Sequence, residues 1–221
     1  MRVLSIAVML SALVGFVGCI GVAMAVYPGG TWYDKATPGH HFWFNFLCDL
    51  LRQNGLNGRP NPLGSRLATV GMLSLVIAIA AYFWIAPEAM PRWPSVGRIV
   101  RITGLLGAAG LVSVALLPSD RFGKLHTFAI ILAAGPGIIA VSLALAGVAF
   151  DPQAMAWHRL LGVSLWLSVV ATAVLFVLHT FMGGGWIRAL PAMQRVAAIL
   201  AVTWMANAAV TLLQRLGRDT V

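Results

Sequence analysis

Six separate runs of about twenty apolar residues, almost free of charge, constrain this chain more than any other feature of it. An α-helix rises about 1.5 Å per residue, so roughly twenty such residues cross the hydrocarbon core of a bilayer. The runs fall at about 3–26, 65–86, 97–117, 123–148, 156–181 and 190–214. They predict an all-α fold, a polytopic transmembrane bundle of six helices. Of the 221 residues, 60% are hydrophobic and 10% charged, whereas about a quarter of a soluble domain is charged. Short loops and one long one are all that remain, so the chain reads as a single membrane-embedded domain over residues 1–221.

The net charge of +9 is spread over span ends, at Arg66, Arg92, Arg98, Arg101, Arg159, Arg195 and Arg215, and not gathered in a block. That distribution anchors helices at lipid headgroups. No basic run with interleaved aromatics exists, which argues against nucleic acid. Cys19 lies inside the first run and Cys48 in the loop after it, a placement that does not suit a disulfide. With two cysteines and no Cys-x-x-Cys spacing, structural zinc and iron–sulfur sites fail on ligand number. The first run ends Ala23-Met24-Ala25, imitating a leader cleavage site, and Phe16-Val17-Gly18-Cys19 loosely imitates a lipoprotein box. At about 24 residues the run is too long for a usual leader and reads as the first span.

Prolines punctuate the loops: Pro87, Pro91 and Pro94 after the second span, Pro118 after the third, Pro152 after the fourth, Pro191 near the start of the sixth. Gly183-Gly184-Gly185 predicts a flexible exit from the fifth. Gly104, Gly107 and Gly110 recur every three residues in the third span, and Gly135-Pro136-Gly137 interrupts the fourth. Small residues let helices approach closely, either within the monomer or in a homodimer, and the proline predicts a kink or hinge. With six spans both termini share one side. Eight basic residues fall on the side of loops one, three and five (side A), and seven on the other (side B). The tight Arg92–Arg101 cluster and the Arg215/Arg218 tail lean the assignment towards cytoplasmic termini in a bacterial inner membrane.

Loop one, Tyr27 to Gly64, is too long to be a mere connection. On a helix over about 39–53, His41, Asn45 and Asp49 fall at i, i+4 and i+8, with Arg52 continuing the stripe. Phe42, Trp43, Phe46 and Leu50 cover much of the rest. This predicts an amphipathic interfacial helix, lying in the headgroups or folded back over the bundle. Loop three carries Asp120, His126 opens the fourth span on side A, and His179 closes the fifth there. Asp49, Asp120, His126 and His179 therefore belong at one depth, and ionisable groups sharing a depth suggest a common polar site. His158, about 30 Å from His179 along the fifth span, belongs to side B. Asn207 is the one amide deep in an apolar run, placed to hydrogen-bond to a neighbouring helix.

The order of elements resembles a family of six-span membrane proteins, the domain of unknown function nine-nine-eight. Asn45 and Asp49 match its Asn-x-x-x-Asp helix in loop one; Pro118, Asp120 and His126 match its Pro-x-Asp…His motif entering span four. Cys48 stands where the family would have a small hydroxyl residue, and loop one is longer than typical. The resemblance implies the six-span fold and no particular activity.

Three kinds of function fit these residues. The first is a non-catalytic protein that binds membrane lipid or assists a partner membrane protein, with Trp32, Tyr33, Phe42, Trp43 and Phe44 suited to the interface. The second is a metal-dependent intramembrane hydrolase of a lipid-like substrate, distantly similar to alkaline-ceramidase-like enzymes. There His126 and His179, with His41 or Asp49, would hold zinc, and Asp120 would orient a ligand or act as base. The signature pair of histidines one turn apart is missing. The third is an electron carrier with a b-type haem between His126 and His179. Against transport, no span carries a central carboxylate and no inverted repeat is evident.

Overall fold

The structure, a computed structural model, describes residues 2–90, 92–150, 154, 156–182 and 188–218, the last four of them for the backbone alone. Six helices are long and apolar enough to cross a membrane. They are α1 (Arg2–Ala25), α2 (Pro62–Ile85), α3 (Pro94–Leu116), α5 (Lys124–Ala149), α6 (Ala156–Met182) and α7 (Leu190–Arg218), with the single turn α4 (Ser119–Phe122) between α3 and α5. No strand occurs among the described residues, only isolated bridges between Gly29 and Pro38 and between Asn54 and Pro60. Pro62 and Pro94 open α2 and α3 at the first helical position, where the missing N–H has no partner to lose. Pro152, Asp151, Pro91, the Gly183–Gly185 run and the side chains of Arg215 and Arg218 lie outside the described residues.

Each spanning helix packs on its sequence neighbour, and α7 returns to touch α1, closing the ring. Two large apolar clusters fill it, with a small third one of Val114, Ala129 and Ala133 between α3 and α5. The larger lies toward side B and joins Met9, Leu13, Tyr82, Phe83, Val100, Leu165, Trp204 and Met205. The other lies toward side A and joins Phe16, Ile20, Tyr27, Leu50, Leu51 and Met72. At the side-B level Trp204 Nε1 donates to Tyr82 Oη at 2.8 Å, and the His158 ring stacks on Trp204 at 4.4 Å. Asn207 bonds to His158 Nδ1, so the deep amide does reach a neighbouring helix.

The glycine stripe of α3 lies against other helices of the same chain. A Cβ on Gly110 would stand 2.6 Å from Ala133 Cα, and one on Gly107 3.1 Å from Gly137 Cα. A Cβ on Gly104 would run into the Phe83 ring. This face is already covered by α5 and α2, and Pro136 sits inside an α5 that stays helical throughout.

Loop one departs from expectation. Residues 39–53 do not form a continuous amphipathic helix. They make turns through Phe42–Phe44 and then a short 3-10 helix, Leu47–Leu51. The physical reason is that Asn45 and Asp49 bind nearby backbone amides, and so offer the chain an alternative to the α-helical ladder. The segment between α1 and α2 instead folds back as an ordered cap over the side-A end of the bundle, burying Leu47, Leu50 and Leu51.

Candidate functional site

The cap is built around two fully buried polar side chains, Asn45 and Asp49. Asn45 Oδ1 accepts the His41 amide at 2.8 Å, and its Nδ2 donates to Gly30 O at 2.9 Å and to Asp49 Oδ2 at 3.3 Å. Asp49 Oδ2 also accepts the Phe46 amide at 2.8 Å, while Asp49 Oδ1 accepts Trp32 Nε1 at 3.1 Å. One carboxylate and one amide thus tie three stretches of the loop together. Burial raises the Asp49 pKa above the usual carboxylate value, and these donors, with the Arg52 charge, pull it partly back.

Helix α7 holds the cap from one side. Arg195 is 2% exposed. Its Nε donates to Phe42 O at 3.2 Å, and its Nη2 donates to Asn45 O at 3.2 Å and His40 Nε2 at 2.9 Å. The guanidinium also lies 5.2 Å from the Phe42 ring centroid. The neighbouring Gln194 accepts the Leu47 amide at 2.9 Å. Because His40 accepts from a cation it must be neutral; burial first, and the Arg195 charge second, push its pKa down to about 3. Helix α2 holds the other side: Asn61 Nδ2 donates to Leu50 O and Arg52 O, and Ser65 Oγ to Leu51 O at 2.7 Å. At the end of α1, Tyr27 Oη accepts the Leu56 amide at 3.0 Å, and burial pushes its pKa up to about 12. Burial also pushes the Cys48 thiol up to about 12, leaving it a protonated, unreactive group; both cysteines are free.

The residues expected to share a site are used separately. Asp120 does reach loop one, where its Oδ2 accepts the Gln53 and Asn54 amides at 2.8 and 3.2 Å, and Arg52 Nη1 donates to the adjoining Ser119 Oγ at 3.3 Å. His126 is 4% exposed and donates Nδ1–H to Leu117 O at 2.6 Å, closing the α3–α5 connection; its Nε2 has no hydrogen bond. The His41 ring stacks on Phe44 at 4.4 Å. His179 is half-buried on α6, with Nδ1 unbonded. Among the described residues no three His, Cys, Asp or Glu side chains gather where they could hold a metal ion. The His126, His179 and His41 set is therefore not assembled as a zinc site. Asp49 and Asp120 bind loop amides, and among the described residues neither is hydrogen-bonded to a histidine.

Sequence reasoning passed over Arg195, Gln194 and His40, counting Arg195 only among the charges at span ends. A signal was there: Arg195 follows Pro191 by one turn, which sets a charge inside the apolar run and not at its edge.

The outward surface of the cap is different in character. Trp32, Tyr33, Phe42, Trp43 and Phe44 are all exposed. Lys35 Nζ and Arg52 Cζ lie 5.0 and 5.9 Å from the Trp32 centroid, and Arg188 Cζ lies 5.5 Å from that of Tyr33. Compared with known proteins, the chain matches no protein-family model, no curated protein and no solved structure.

Proposed function

We propose that this is a multi-pass protein of a bacterial inner membrane, with cytoplasmic termini, that binds lipid at one membrane face through its loop-one cap. The observation that carries this reading is the division of labour within the cap. Asp49 is engaged inside it and Asp120 binds its backbone from α4, and the groups left facing outward are aromatic rings and cations. Aromatic rings with one polar edge favour the bilayer–water boundary, and cations beside them favour anionic headgroups. The likeness to the domain of unknown function nine-nine-eight, carried by Asn45, Asp49, Pro118, Asp120 and His126, belongs to the same reading. In these terms Asn45 and Asp49 hold the cap together, Asp120 fastens it to α4, and His126 closes the α3–α5 connection.

The test is native mass spectrometry of the full chain released from mild detergent, together with metal analysis of the same sample. Bound phospholipid without stoichiometric metal is expected, and Trp43→Ala should lower lipid retention several-fold without unfolding the protein. Zinc or iron at one equivalent, or a Soret band, would contradict the reading and restore the hydrolase or haem alternatives.

A further inference from the structure

We propose that the cap carries a binding site for the phosphate of an acidic phospholipid headgroup, made by Lys35 and Arg52 on the two-ring platform of Trp32, with Arg188 on Tyr33 beside it. The inference rests on the lipid-face reading above and names the headgroup that face selects.

Trp32 is 44% exposed, yet its ring is anchored, because its indole N–H is donated inward to the buried Asp49. Two cations lie over that one ring, at 5.0 and 5.9 Å from its centroid, and so within about 11 Å of each other. Arg52 is itself positioned: Nε donates to Asn54 O and Nη1 to Ser119 Oγ, both at 3.3 Å, which leaves further N–H groups of its five. A third cation, Arg188, continues the ribbon over Tyr33, whose ring meets Phe44 edge-on at 5.7 Å.

None of the three cations forms an ion pair with a carboxylate among the described residues, although the Arg52 charge does reach the buried Asp49. Among the described residues the one ion pair is Arg2 with Glu88, at the opposite end of the bundle. Asp34, beside Lys35, accepts from the Ala36 amide at 2.9 Å and from Thr37 Oγ1 at 3.0 Å. Asp49 is buried beneath Trp32, and Asp120 is bound to Gln53 and Asn54. Side A as a whole carries eight basic against three acidic residues. Cations gathered on one face with few carboxylates repel one another, and a phosphate bound among them would reverse the sign of the interaction while guanidinium and ammonium donate to its oxygens. The exposed Phe42, Trp43 and Phe44 set these cations at headgroup depth, where the phosphate that meets them is that of a lipid.

The experiment compares phosphatidylglycerol with phosphatidylcholine of identical chains, added to the full-length protein in detergent and read by native mass spectrometry. Wild type should retain the acidic lipid preferentially. Lys35→Gln, which removes the cation over the Trp32 ring, should lower that retention about fivefold, and Arg188→Gln by a smaller factor. Lys124→Gln, an exposed change at the same end but off the ribbon, should have no effect. Equal loss in Lys124→Gln would overturn the site in favour of diffuse charge. Retention of both lipids without preference would overturn it while leaving the lipid-face reading intact; retention of neither would overturn both. Displacement of the acidic lipid by inorganic phosphate at equal concentration would show an ion site without a lipid occupant, and would also overturn the proposal.

Discussion

A buried arginine with carbonyl and imidazole partners, and no carboxylate among its bonded neighbours, is an unusual way to fasten a loop, and Arg195 is the residue on which the cap depends most. Arg195→Met would leave Phe42 O, Asn45 O and His40 Nε2 without their donor, the second of them fully buried. At roughly 1–3 kcal/mol for each orphaned group, partly relieved by relaxation, the expected loss is about 3 kcal/mol, read as a lowered unfolding midpoint in detergent. Asp49→Asn should cost about 1–3 kcal/mol in the same assay, because an amide offers one acceptor where Trp32, Asn45 and Phe46 present three donors. His40 gives a pH dependence of definite sign. Its folded pKa of about 3 lies below the ordinary 6.5, so the unfolded chain binds the extra proton between those values. The stability it contributes is complete above pH 6.5 and falls as pH drops toward 3. Asp49, with its raised pKa, opposes this slope. His40→Gln retains an acceptor for Arg195 without a titrating group, and should flatten the decline of the unfolding midpoint between pH 6.5 and 4.

At the scale of elements, α3 and α5 meet through backbone contact at Gly107 and Gly110. Gly110→Leu puts a side chain where Ala133 backbone already lies and should destabilise by about 1–3 kcal/mol or block folding. Gly18→Leu, at an α1 position with nothing within 4 Å of the added Cβ, should leave the unfolding midpoint unchanged. The spans were legible because membrane helices satisfy their backbone locally, so apolar length alone locates them to within a few residues. Loop one was legible only in part. The spacing of His41, Asn45 and Asp49 rightly grouped those positions, since turns as well as helices bring i and i+4 together. It wrongly implied a helix, because Gly30, Gln194 and Arg195, the partners that decide the loop's path, lie from 15 to 150 residues away from Asn45 and Leu47 in sequence. The shared depth of Asp120, His126 and His179 was likewise a statement about height along the bundle; it carried no information on which way each side chain turns.

For the whole molecule, a closed ring of six helices takes its one elaborate surface from a connection. The bundle holds the cap by side chains from α2, α4 and α7, and the cap presents rings and cations at the membrane boundary. Hydrogen exchange of the full chain in lipid nanodiscs tests this arrangement most directly. The amides of Phe46, Leu47, Gln53, Asn54 and Leu56, each bonded to a side chain in the structure, should exchange nearly as slowly as those in the middle of α2. Exchange of those five within seconds, while the spans remain protected, would contradict a fixed cap and return loop one to a loose segment on the lipid surface.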